Sequence, residues 1–226
     1  ATEYISGGAG FTLNYDTDGG DILTTPIIGS SVEIPIHVRD EYRTEIESFI
    51  TDLVSSDEDR FTVLIYESGN VYWRGKVQVE RVSIPDSFYT QITLFAADGL
   101  GRLGSIPYSN GELFYYDWET LHGHIHNIIS KLNLYNIEPD KELGFVMNWV
   151  TDTIDGVLPT SIRIHHDTFK EIKGIDTLAV DCLSVLKNLL TRFNCRIVQQ
   201  DGVFFVQQIG YLADSGAKSV LYYDNT

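Results

Sequence analysis

VYWRGKVQVERVSIPDSFYTQITLFAADGLGRL, running from Val71 to Leu103, decides how this chain is read. It reads as a strand carrying Tyr72-Trp73-Arg74-Gly75, a turn at Pro85-Asp86-Ser87, and a second strand ending in Ala97-Asp98-Gly99-Leu100. In the second strand Ile92, Leu94 and Ala96 alternate with polar or exposed positions, the period-2 pattern of a half-buried strand. The stretch contains no nucleophile–base pair, no metal-ligand spacing and no phosphate loop. Asp98 is expected to brace the turn that follows it, with Gly99 as a sharp exit and Leu100 and Leu103 leading into a second domain.

Toward the N-terminus, Phe11–Tyr15 alternates as a strand and Ser31–Val38 alternates again, with Val32, Ile34, Ile36 and Val38 on one face. Pro35 on the other face predicts an edge strand, because proline cannot donate to a ladder. Tyr42, Ile46, Phe49, Ile50 and Leu53 recur at helical spacing behind Asp40 as a cap. Phe61–Tyr66 is a strand, and Ser68-Gly69-Asn70 turns it into Val71–Val79. Residues 11–107 thus read as five or six strands and one helix, enough for a small barrel or sandwich.

Residues 108–226 have a different rhythm. Trp118, Leu121, Ile125, Ile128, Ile129 and Leu132 form a helical stripe from Asp117 to about Asn133. Gly144–Asp155 looks irregular, with Met147 and Trp149 packing, and Ser161–His166 is a short strand. From Asp176, Ala179, Cys182, Leu183, Leu186, Leu189, Leu190 and Phe193 trace a second amphipathic helix, with Cys182 in the core. Cys195–Gln200 and Val203–Ile209 flank Asp201-Gly202, the strongest short hairpin signal in the chain. The expected fold is α+β and strand-dominated: a β-barrel-like domain over 1–107, then a mixed α/β domain over 108–226 ending in a helix and hairpin.

Composition supports a folded chain: 226 residues, 43% hydrophobic and 12% aromatic, with 13 Tyr, 11 Phe and 19 Gly. The net charge is −16, and residues 1–60 contribute −10 of it from 13 acids and 3 bases. So acidic a chain lacks the Lys/Arg surplus that grips a phosphate backbone, so no direct nucleic-acid grip is expected. Two cysteines are too few for a disulfide scaffold, and no apolar run approaches membrane-spanning length. The chain starts at Ala1 and stops within strand-like SVLYYDNT, so a segment of a longer protein is expected.

Three constellations could carry chemistry. His122 and His126 stand i, i+4 on a helix, a metal-ligand spacing, but Gly123 occupies the place where a zinc hydrolase needs its glutamate. The bland reading of His122, His124 and His126 is three solvent-flanking histidines beside a buried stripe. Asp16, Asp18 and Asp21 could seed a calcium loop, yet Ile27 stands where the distal bidentate glutamate belongs. Tyr72-Trp73 and Tyr115-Tyr116-Asp117-Trp118 suit either core and interface packing or stacking on sugar rings. No metal site, catalytic residue or cofactor is assigned from these patterns.

Taken in order, GFTLNYD, Pro26-Ile27-Ile28-Gly29-Ser30, Arg60-Phe61, Tyr72-Trp73-Arg74-Gly75, Ala97-Asp98-Gly99-Leu100, Asp181–Leu186, Phe193–Ile197 and Gln200-Asp201-Gly202 resemble minor structural or hub-type tail proteins of tailed bacteriophages, particularly of Bacteroidetes-type phages and related prophages. The likeness spans roughly residues 11–209. It implies a tail-hub-like, non-enzymatic virion component: a hub, distal ring or baseplate connector. Such a protein would form a homo-oligomer, trimer or hexamer, with other tail proteins around a genome-conducting channel. It would need no membrane, and would reside in the virion tail and, during assembly, the host cytoplasm. An acidic lumen would let DNA slide without sticking. The alternatives are a carbohydrate- or cell-surface-binding module and a metal-dependent or glycosidic hydrolase.

Overall fold

The computed structural model describes residues 10–17, 19–21, 24–37, 43–55, 60–82, 91–111, 114–134, 143–147, 161–173, 176–212 and 221–222. Over these the chain is mixed α/β and strand-dominated, with a main sheet curled into a half-barrel and few helices. The strands are β1 (Thr12–Asp16), β2 (Ile27–His37), β3 (Thr62–Glu67), β4 (Asn70–Val77), β5 (Gln91–Ala97), β6 (Trp118–Thr120), β7 (Leu143–Val146), β8 (Arg163–His165), β9 (Lys170–Lys173), β10 (Asp176–Ala179), β11 (Cys195–Gln200), β12 (Val203–Gln208) and β13 (Leu221–Tyr222). The helices are α1 (Arg43–Val54), α2 (Leu121–Ile129), α3 (Cys182–Arg192) and the single turn α4 (Ile209–Leu212).

The main sheet runs β13-β7-β12-β11-β2-β5-β4-β3, with β1 added on β2. Two tight turns set its hairpins. Ser68 (φ 50°) and Gly69 (φ 86°) join β3 to β4, and Asp201 (φ 49°) and Gly202 (φ 69°) join β11 to β12. Both loops have two residues in left-handed backbone, whose twist matches that of paired strands. Ser31, Val32 and Glu33 pair with both β1 and β5, so β2 is an interior strand and not the edge that Pro35 predicted. The proline is tolerated because β1 reaches only Glu33, leaving β5 as the partner beside Pro35 among the described residues.

One sheet passes through both halves of the chain, since Ile27 and Ile28 pair in parallel with Ile197 and Val198. The packing is divided. Ile50 and Leu53 of α1 cover Val77, Ile92 and Leu94, and Val32, Trp73 and Ala96 pack next to them. From Leu100 onward a second core gathers Leu103, Ile125, Ile128, Leu143, Val185, Leu186, Leu189, Ile197 and Phe204 between α2, α3 and the sheet.

Three boundaries differ from expectation. Trp118 lies on β6 and is 62% exposed, because Asp117 turns the chain (φ 68°) and Thr120 caps α2, its hydroxyl accepting Gly123 N–H at 3.0 Å. Asp176–Ala179 pairs with β9, and the helix starts only after Asp181, whose carboxylate accepts Ser184 N–H at 2.8 Å. Gly144–Val146, the start of the stretch expected irregular, belongs with Leu143 to a fully buried strand parallel to β12; buried on both faces, it carries no alternation to read. Met147 is buried, while Trp149 lies outside the described residues.

Candidate functional site

The seam between the two cores is built on the stretch from Tyr72 to Leu100. Asp98 leaves β5 with its side chain buried, 2% exposed. Its Oδ2 accepts Ser30 N–H at 2.6 Å and Ser30 Oγ–H at 2.8 Å, and its Oδ1 accepts Leu100 N–H at 3.0 Å. Ser30 Oγ in turn accepts the indole N–H of Trp73 at 2.9 Å. Gly99 continues in left-handed backbone (φ 87°) and starts the 3-10 turn Leu100–Ser105, which buries Leu100 and Leu103. Burial pushes the Asp98 carboxyl up to about 6, although the three hydrogen bonds pull it down. Both oxygens are occupied with bracing the turn, which is a positioning role.

The same seam is tied to the second half of the chain. Arg74 N–H donates to Gln199 Oε1 at 2.9 Å, and Gln199 Nε2 donates to the Arg74 carbonyl at 2.9 Å. A side-chain amide thus takes the place of a neighbouring peptide group. Gly202 N–H donates to the Tyr72 carbonyl at 3.0 Å, and a Cβ on Gly202 would stand 2.6 Å from Val71 Cγ1. A Cβ on Gly75 would collide with the Trp73 ring and the Ala97 carbonyl. The Arg74 guanidinium lies 5.9 Å from the centre of the Phe204 ring. Tyr72, Trp73, Arg74, Gly75, Asp98, Gly99, Leu100 and Gly202 therefore meet, with Asp201 shaping the turn that brings Gly202 in. A cavity of about 390 Å³ opens beside Asp98, with Asp16, Gln78, Arg81 and Lys187 among its lining.

A second polar cluster lies within the second core. Tyr108 Oη donates to His124 Nδ1 at 2.5 Å, and His166 Nδ1 stands 3.4 Å from the same oxygen. His124 Nε2 lies 3.0 Å from the Ile164 carbonyl, which fixes the proton on Nε2. The imidazoles of His124 and His166 are 4.5 Å apart between centres, Tyr115 stacks on His166 at 5.1 Å, and Phe169 closes the edge against Tyr108 and His124. Burial pushes His166 down to about 4, lowers His124, and raises the Tyr108 phenol far above its ordinary value.

The solvent-flanking reading is overturned for His122 and His124, which are 4% and 0% exposed, while His126 is half-buried; His166 is buried as well. His122 and His124 lie on or beside the apolar stripe of α2 that carries them inward, and His122 packs edge-on to Phe145 at 5.7 Å. The His122 and His126 rings lie 6.1 Å apart, and burial pushes His122 down to about 4. Asp16 and Asp21 are exposed at the ends of a turn closed by backbone, with Gly20 N–H on the Thr17 carbonyl and Thr24 and Thr25 N–H on the Asp21 carbonyl, each at 2.9 Å; Asp18 lies outside the described residues. Among the described residues no three His, Cys, Asp or Glu side chains converge as metal ligands.

Sequence reasoning assigned no such role to Ser30, Gln199, Tyr108 or His166, and misplaced His124. For His124 the signal was present: it falls three after Leu121 and four before Ile128, on the stripe itself. Gln199 meets Arg74 across 125 residues, and local sequence holds no trace of that. No family model, curated protein or solved structure matches the chain. No helix among the described residues is long and apolar enough to cross a membrane.

Proposed function

We propose that this chain is a structural component of a bacteriophage tail tip, a hub, distal ring or baseplate connector, acting through contacts between subunits around a genome-conducting channel. The observation that carries the reading is the β9–β10 hairpin. Ile172 is 77% exposed and Leu178 43% exposed. Ile172 pairs with Thr177 and Leu178 with Glu171, so the two aliphatic side chains lie on opposite faces of one ribbon. An apolar residue bare on each face suits insertion between neighbouring subunits. Tyr116 and Trp118, 66% and 62% exposed, add aromatic surface. The charge of −16 suits a wall past which DNA slides without binding.

Mass spectrometry of purified tail particles from a phage or induced prophage encoding the chain tests this. Peptides of the chain at stoichiometric abundance, together with tape-measure and tube genes beside its gene, are the expected result. Tails that lack the chain overturn it. Exposed Tyr116 and Trp118 favour a second reading, a carbohydrate-binding module, and specific binding on a glycan array lost in Trp118→Ala would replace the first.

A further inference from the structure

We propose that Tyr108, His124 and His166 form an acid-operated clasp that holds the root of the β9–β10 hairpin on α2 and releases it when the two imidazoles take up protons. The clasp grips both ends of the hairpin. His166 and Phe169 stand in the 3-10 turn directly before β9. Beyond β10, Val180 N–H donates to the Phe169 carbonyl at 3.3 Å and the Val180 carbonyl accepts Tyr108 N–H at 2.8 Å. Tyr108 thus holds the outgoing strand with its backbone and the incoming one through its ring and hydroxyl.

The hydrogen-bond chain has one direction. His124 spends its Nε2–H on the Ile164 carbonyl, so its Nδ1 must stay a lone pair to accept from Tyr108. A proton on that nitrogen forces the bond to reverse, with Tyr108 accepting, and places a cation in a desolvated box with a second imidazole 4.5 Å away. The facing groups divide. Glu119 on β6 favours the charged form, whereas His165 on β8 and Lys170 on β9 oppose it at His166. Lys170 is paired with Asp167. From α2 and its end, Asn127 bonds the Tyr108 hydroxyl, and Lys131 donates to the Ser109 carbonyl at 2.6 Å and lies 5.8 Å over Tyr115. Tyr115 and Cys182 are neutral, their ionisation pushed up by burial. With Asp167 engaged by Lys170 and His165, Glu119 is the carboxylate left to offset charge on the two imidazoles. An open clasp restores ordinary histidine titration near 6.5, and between there and the closed value the opening equilibrium grows about tenfold per pH unit for each proton taken up.

The clasp is a property of the chain and does not depend on the tail reading. Hydrogen exchange of the full chain, read by mass spectrometry from about pH 7 to about pH 4.5 and corrected for intrinsic rates, tests it. Protection over residues 163–181 should fall below about pH 6.5 by about tenfold per pH unit for each of the two protons, while residues 195–208 keep theirs. The double variant His124→Phe with His166→Phe should remove that slope. Imidazole NMR of the unaltered chain gives a readout that needs no variant: both histidines should gain protons at the pH where protection is lost. Protection that does not change with pH, both segments failing together, or histidines titrating at ordinary pH with the hairpin still closed would each overturn the clasp.

Discussion

The Asp98 knot and the Tyr108 clasp are both buried polar clusters, and they face proton uptake from opposite sides. Asp98 is a carboxyl raised from 3.8 to about 6, so the folded chain binds protons more readily than the unfolded one in that window. Its contribution is full below about pH 3.8 and is lost as pH rises to about 6, about 3 kcal/mol at 1.36 kcal/mol per unit. His122 and His166, lowered from 6.5 to about 4, behave in reverse: their contribution is full above 6.5 and is lost as pH falls to about 4. The difference teaches that one physical cause, desolvation, gives two signs because it always favours the neutral form. Over the shared window the two slopes oppose each other, and Asp98 offsets part of the loss that the histidines bring.

The most severe way to break the comparison is to remove the seam. Gly75→Val drives a branched side chain into Trp73 and Ala97, and a loss above about 4 kcal/mol or failure to fold is expected in urea denaturation. Next, Asp98→Asn separates the two slopes. The variant should lose about 2 kcal/mol near neutral pH, because the amide nitrogen replaces one carboxylate oxygen and cannot accept the N–H that oxygen held, from Ser30 or from Leu100. Its stability should then fall monotonically with acid, measured as urea midpoints across the histidine window. Tyr108→Phe, leaving His124 Nδ1 without its donor, should cost about 1–2 kcal/mol in the same assay and leave the Asp98 slope intact. Asp181→Ala removes the α3 cap and should cost about 1 kcal/mol at any pH above the carboxylate range.

What was legible in the sequence followed local rules. The turns at Ser68-Gly69 and Asp201-Gly202 announce themselves because left-handed backbone selects for small or turn-prone residues. The α3 stripe from Cys182 to Leu190 reads directly from its spacing. The starts of α2 and α3 did not, since Thr120 and Asp181 end an extended segment inside a run that still looks helical. Of the site, the Tyr72–Gly75 and Asp98–Leu100 motifs were visible as motifs, but not what they bind. Ser30 is 68 residues from Asp98, and Gln199 is 125 from Arg74. Pairings of that kind come from tertiary closure, and no pattern of period 2 or 3.6 encodes them.

The amide of Gln199 on Arg74 also sets an order of events at the ribosome. β4 is synthesised long before the residue that satisfies its backbone, and the same delay holds for Ile27 and Ile28, which await Ile197 and Val198. Closing so distant a contact is slow, and until it closes the nascent sheet shows an open flank. A chain interrupted after Arg192 would carry nearly the whole N-terminal sheet and still lack its last partner. Released fragments ending there are expected to stay protease-sensitive at β4 and to associate through it, whereas fragments extended past Gln208 become resistant.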